Sequence, residues 1–112
     1  MRCSIKIRIG NNEELLFGPG TASLMRAIEE NGSVKGAALS LGLSYSKAWK
    51  IIKNAEKCFS TQIVSCASGG KGGGNTVLTE EGKRIILSYE KFEKEINECS
   101  ENSFKTNFKE WL

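Results

Sequence analysis

Ser33-Val34-Lys35-Gly36-Ala37-Ala38-Leu39-Ser40-Leu41-Gly42-Leu43-Ser44-Tyr45-Ser46-Lys47-Ala48-Trp49-Lys50 reads as two helices with almost nothing between them. Ser33 can cap the first, in which Val34, Ala37, Ala38 and Leu41 fall at i, i+3, i+4 and i+7, and Gly42 ends it. Ser44 caps the second at once, so little more than Gly42-Leu43 joins them, the short glycine-containing connection of a helix-turn-helix. Gly36, Ala37 and Ala38 are small enough for the two helices to cross closely. The second helix, about Tyr45 to Phe59, sorts into two faces when wound at ~100° per residue. Ala48, Ile51, Ile52, Ala55 and Phe59 gather on one arc, whereas Lys47, Lys50, Lys53 and Lys57 take the opposite one with Ser46 and Asn54. One face is core; the other is a lysine stripe wide enough to follow a phosphate-walled groove. Tyr45 and Trp49 lie at the boundary, where they either seal the core edge or touch a base or sugar.

Upstream, Cys3, Ile5, Ile7 and Ile9 alternate with Ser4, Lys6 and Arg8, a period of two that predicts a strand with one buried face. Gly10-Asn11-Asn12 turns the chain and Glu14 to Phe17 returns it, giving an amino-terminal hairpin over residues 1–17. Gly18-Pro19-Gly20 then opens a helix from about Pro19 to Asn31, with Leu24, Ala27 and Ile28 inside and Gly32 as its left-handed stop.

Downstream, Gln62 to Cys66 and Thr76 to Leu78 predict two short strands of a wing over residues 62–79. Five of the chain's twelve glycines sit in its tip around Lys71. The tip fails as a phosphate-binding P-loop, because Gly72 follows Lys71 where Ser or Thr would bind magnesium, and a strand rather than a helix comes next. Its glycines instead suit a hairpin end that approaches a surface closely, with Lys71 at the apex.

Thr79 caps a fourth helix, with Glu80 and Glu81 set against the positive end of its dipole. Along it Ile85, Tyr89, Phe92, Ile96 and Cys99 recur at alternating spacings of four and three, a seam suited to the chain's own core or to a partner helix. The seam outruns what a small core can cover, which favours a homodimer built on Ile85, Tyr89, Phe92 and Ile96, with 79–112 as the dimerisation region. After a polar break from Ser100 to Ser103, Phe104, Phe108 and Trp111 form a terminal stripe that packs on that dimer.

Length and composition bound the function. The 112 residues suit one domain, and no apolar run approaches the ~20 residues of a membrane span. Charges interrupt the amino terminus where a secretory signal needs an unbroken apolar stretch, so a cytoplasmic protein is expected. The absence of histidine removes Ser-His-Asp and Cys-His chemistry and any mixed cysteine–histidine zinc site. Cys3, Cys58, Cys66 and Cys99 lack C-x-x-C spacing; they are a scattered four-thiolate zinc site or, more simply, small buried hydrophobes in a reducing compartment. No catalytic residue, metal or cofactor is expected. Residues 35–84 hold eight basic and three acidic side chains, against four and six in residues 85–112, which localises a polyanion-binding face at the centre.

Taken in order, the elements make a mainly α chain with a small β component, a winged helix-turn-helix. Phe17-Gly18-Pro19-Gly20, Asn31-Gly32-Ser33-Val34, Gly42-Leu43-Ser44-Tyr45, Ala48-Trp49 and above all Gly69-Gly70-Lys71-Gly72-Gly73-Gly74 with Leu78-Thr79 and Gly82 resemble the amino-terminal DNA-binding domain of the ModE family. These are molybdate-responsive regulators whose DNA-binding half is related to the LysR-type winged helix. The resemblance covers about residues 17–90. It implies a double-stranded-DNA-binding dimer whose third helix enters the major groove and whose wing reaches the flanking backbone. It puts Ser44, Tyr45, Lys47, Lys50 and Lys71 at the DNA, and the lysine stripe adds Ser46 and Lys53. The family's molybdate-binding barrels have no counterpart in these 112 residues, so no molybdate binding is expected. Two rival readings of the same elements are a winged helix that docks proteins with the same faces, and an enzyme that uses the glycine loop.

Overall fold

The computed structural model describes residues 1–66 and 75–112. The expected wing tip, with Lys71, lies outside the described residues. Two short strands, β1 (Ile9–Gly10) and β2 (Leu15–Phe17), precede three helices, α1 (Pro19–Asn31), α2 (Val34–Ser40) and α3 (Tyr45–Phe59). Strands β3 (Val64–Cys66) and β4 (Thr76–Leu78) follow, then α4 (Glu80–Asn107) and a single 3-10 turn, Lys109–Trp111. Both strand pairs are antiparallel. In the second, Val64, Ser65 and Cys66 stand opposite Leu78, Val77 and Thr76, which is the register of a wing base.

The helix starts follow from side-chain chemistry. Ser33 Oγ accepts from Gly36 N–H at 2.9 Å, Ser44 Oγ from Lys47 N–H at 3.1 Å, and Thr79 Oγ1 from Gly82 N–H at 2.9 Å. Each such cap is worth about 1 kcal/mol. Gly32 ends α1 at φ 74°, a left-handed conformation that disfavours any side chain with a Cβ.

One core joins all the helices. Leu24, Met25 and Ile28 of α1, Val34, Ala37 and Ala38 of α2, and Ala48, Ile52 and Ala55 of α3 are buried together with Phe17, Ile63, Val64, Leu78 and Ile86. The wing base is tied to α1 and α3 by one hydrogen bond each, and a third closes it on itself. Thr76 N–H donates to Gly32 carbonyl oxygen at 2.8 Å, Ile63 N–H to Glu56 Oε2 at 3.0 Å, and Thr79 N–H to Ile63 carbonyl oxygen at 3.0 Å.

Three expectations are corrected. The strand from Cys3 to Ile9 is paired only at its end. The short return at β2 offers no partner for residues 1–8, and Tyr89 Oη instead donates to Ile7 carbonyl oxygen at 2.7 Å, which ties the arm to α4. The polar break at Ser100 to Ser103 interrupts the apolar pattern but not the helix, because α4 runs on to Asn107. Ser100 Oγ, Thr106 Oγ1 and Asn107 Nδ2 donate back to carbonyls of the helix itself, so polar residues here decorate the helix without ending it. The cysteines are not core hydrophobes: Cys3, Cys66 and Cys99 are exposed and Cys58 is half-buried. All four are free thiols, and burial pushes that of Cys58 up.

Candidate nucleic-acid interface

Helix α3 is two-faced in the way its sequence requires. Ala48, Ile52 and Ala55 are buried, whereas Ser44, Tyr45, Ser46, Lys47, Lys50, Lys53 and Lys57 are all exposed along the opposite side. The core face anchors the helix on α1 and α2, and the free face is available along its whole length. Lys47 and Lys50 form no salt bridge among the described residues, so their charges are unspent. Lys53 and Lys57 differ: Lys53 Nζ lies 3.5 Å from Glu56 Oε1, and Lys57 pairs with Glu14. The lysine stripe is therefore strongest at the amino-terminal half of α3.

The start of the helix carries a second set of groups. Ser44 Oγ, occupied as the cap acceptor, still has a hydroxyl hydrogen to donate, and Ser46 Oγ lies 3.4 Å from it. Tyr45 is 52% exposed and meets Trp49 edge to face at 6.4 Å. Trp49 is half-buried, and Lys53 Nζ sits 5.6 Å from its ring centroid. The boundary pair is thus divided: Trp49 seals the core edge and steadies Lys53, and Tyr45 points outward.

The expected dimer residues are divided as well. Ile85 and Tyr89 lie in the protomer's own core, Tyr89 at 2% exposure and 5.0 Å from the Phe17 ring, so this chain itself fills that half of the seam. Phe92 is 43% exposed and Ile96 half-buried. Phe59, Ile85, Tyr89 and Phe92 line a pocket of about 310 Å³ that opens beside Ile9.

Arg8, expected on the polar side of a strand, has no strand partner. The structure brings it to the same groove as Lys47 and Asn54. Its basic character was visible, but its position depends on how the arm folds back. Among the described residues no group of three or more Cys, Asp or Glu is arranged to hold a metal ion, and no helix is long and apolar enough to cross a membrane.

A tri-helical core with a capped, exposed third helix and a two-stranded wing base defines the winged helix-turn-helix class. The chain belongs to the lysR family of bacterial regulatory helix-turn-helix proteins, whose family model matches residues 22–83, and within it to the ModE type. It is 34% identical over 90 residues to the DNA-binding transcriptional dual regulator ModE of Escherichia coli (strain K12), covering 80% of this chain and 34% of that protein. It is 37% identical over 73 residues to the molybdenum-pterin-binding protein MopB of Rhodobacter capsulatus, covering 65% of this chain and 27% of the other. With the molybdenum transport protein ModE of Azotobacter vinelandii the identity is 39% over 70 residues, 62% of this chain and 26% of that one. The chain thus spans about a third of the length of these relatives or less. The family is one of regulators, not of enzymes, which removes the glycine-loop enzyme.

Proposed function

We propose that this chain is a sequence-specific, double-stranded-DNA-binding transcriptional regulator that acts as a homodimer. The observation that carries the reading is the free face of α3, where Ser44, Tyr45, Ser46, Lys47 and Lys50 stand exposed on a helix whose other face is fixed in the core. In this reading α3 lies in the major groove, and Lys71 in the wing meets phosphate. Two such helices related by a two-fold read inverted half-sites about one helical turn or a multiple apart. Phe92 and Ile96 supply the contact between protomers. The relatives' names connect them with DNA and molybdenum; only the DNA part is proposed for these residues, and molybdate leaves the binding unchanged.

Duplex binding measured against salt tests the reading. Each phosphate neutralised contributes about −0.9 to the slope of log K against log salt, so lysines from two protomers give a steep line. Selection of duplexes from random DNA should return an inverted repeat. A flat salt dependence would instead support a protein-docking winged helix, for which the favouring observation is Leu39, 82% exposed on the outer side of α2.

A further inference from the structure

The amino-terminal arm has no part in the α3 reading, yet it lays Arg8 beside the start of α1. The Arg8 stem lies over Gly18, where a Cβ would stand 3.3 Å from Arg8 Cγ. The missing side chain leaves room for the arginine. Arg8 thereby reaches the rim of an open groove of about 440 Å³ between the Gly18-Pro19-Gly20 turn and α3, which Lys47, Ile51 and Asn54 also line. Arg8 and Lys47 enter this groove from different elements, and no carboxylate lines it. Neither cation takes part in a salt bridge among the described residues.

The charge arrangement is one-sided. Helix α1 begins at this groove with no acidic residue in its first turn, whereas α4 sets Glu80 and Glu81 against its own start. Two cations and the positive end of a helix share this groove with no carboxylate among its lining residues, an arrangement that favours an entering anion. Lys47 belongs both to the groove and to the exposed lysine face of α3, so the groove continues that face.

We propose that this groove seats a backbone phosphate of bound duplex DNA between Arg8 and Lys47. The inference rests on the DNA-binding reading above. The planar guanidinium fork matches two phosphate oxygens, Lys47 adds a point charge, and the Asn54 amide is a further donor at the wall. A phosphate contact carries no base information but fixes register and orientation, so the arm sets the angle at which α3 enters the groove of the DNA.

The test compares Arg8→Ala with Lys47→Ala, Arg8→Lys and Lys91→Ala, the last an exposed α4 lysine outside the groove. Thermal melting establishes that each variant folds. Arg8→Ala should weaken specific and random duplexes alike, about tenfold, and reduce the salt slope by about 0.9 per protomer. Arg8→Lys should restore the slope, and Lys91→Ala should change neither quantity. Unchanged affinity and slope in Arg8→Ala, with Lys47→Ala still impaired, overturns the groove and leaves the DNA reading standing. A wild-type chain without salt-dependent duplex binding overturns both. Inorganic phosphate titrated without DNA separates the other source of the same chemistry. Saturable phosphate binding that needs Arg8, with an unaltered DNA slope, would assign the groove to a free oxyanion and also overturn the proposal.

Discussion

Residues Glu80 to Tyr89 and residues Phe92 to Asn107 of α4 belong to one unbroken helix, yet they meet different surroundings. The first stretch packs Ile85, Ile86 and Tyr89 into the protomer and brings Gly82 so close to the entry of β3 that a Cβ would stand 2.4 Å from Ile63 carbonyl oxygen. The second has the same kind of apolar spacing but projects past the core, where Phe92 and, just beyond the helix, Phe108 and Trp111 remain exposed. The described residues extend 61 Å along the longest axis against 28 and 24 Å across, and a small core cannot follow a helix that far. Spacing along a helix thus specifies an apolar stripe without specifying its partner. The first half is part of folding, and the second is available for association.

The sharpest way to break this contrast is at Tyr89, where the two halves predict different phenotypes. Tyr89 packs on Phe17 and donates from its hydroxyl to Ile7, so it holds both the core and the arm. Tyr89→Ala should cost about 3–5 kcal/mol of protomer stability, as deletion of a large buried aromatic does. Denaturant melts would measure it, and a cost within experimental error would place Tyr89 in the association seam after all.

Phe92→Glu is the complementary change. Phe92 is 43% exposed in the protomer, so a carboxylate there can still reach water, leaves folding nearly intact and becomes costly only when a second copy covers it. The expected penalty on association is about 2–3 kcal/mol. Light scattering should report half the wild-type mass for a folded Phe92→Glu chain. An unchanged mass would mean that the uncovered half of α4 is not the contact between protomers.

The same contrast explains what could be read from sequence. The bounds of α3 were legible because its determinants are local: a capping serine and an amphipathic pattern that runs out after Phe59. The wing base was legible for the same reason, with β-branched runs on either side of the glycines. Residues 1–8 were not, since alternation marks which side chains are apolar but not whether a neighbouring strand exists to pair with them. The continuity of α4 was legible in one overlooked respect: after Gly82 there is no glycine or proline to stop it. The split of Ile85 and Tyr89 from Phe92 and Ile96 was not legible, because it depends on where the core ends in three dimensions. Arg8 failed for the same reason, its position being set by a fold-back that no local pattern encodes.

The smallest expected effect lies at the junction of the two halves. Glu90, just past the buried stretch, accepts from Arg26 of α1 through both Nε and Nη2, and Arg26 also pairs with Glu29. The hydrogen bonds from Arg26 hold the Glu90 carboxyl below its ordinary value of 4.5, against a smaller opposing effect of burial. A carboxyl lowered on folding adds stability above its unfolded value and loses it as pH falls through the folded one. Both side chains are about two-fifths exposed, so solvent screening limits the contribution to under about 1 kcal/mol. Glu90→Gln should therefore be slightly less stable than wild type at pH 7, and the gap should begin to close as pH falls through about 4.5 and vanish once the native carboxyl, held lower, is itself neutral. Paired melts at neutral and acid pH measure that closure. A gap that persists at low pH would show that Glu90 acts through shape rather than charge. The end of the buried half of α4 would then be set by packing alone.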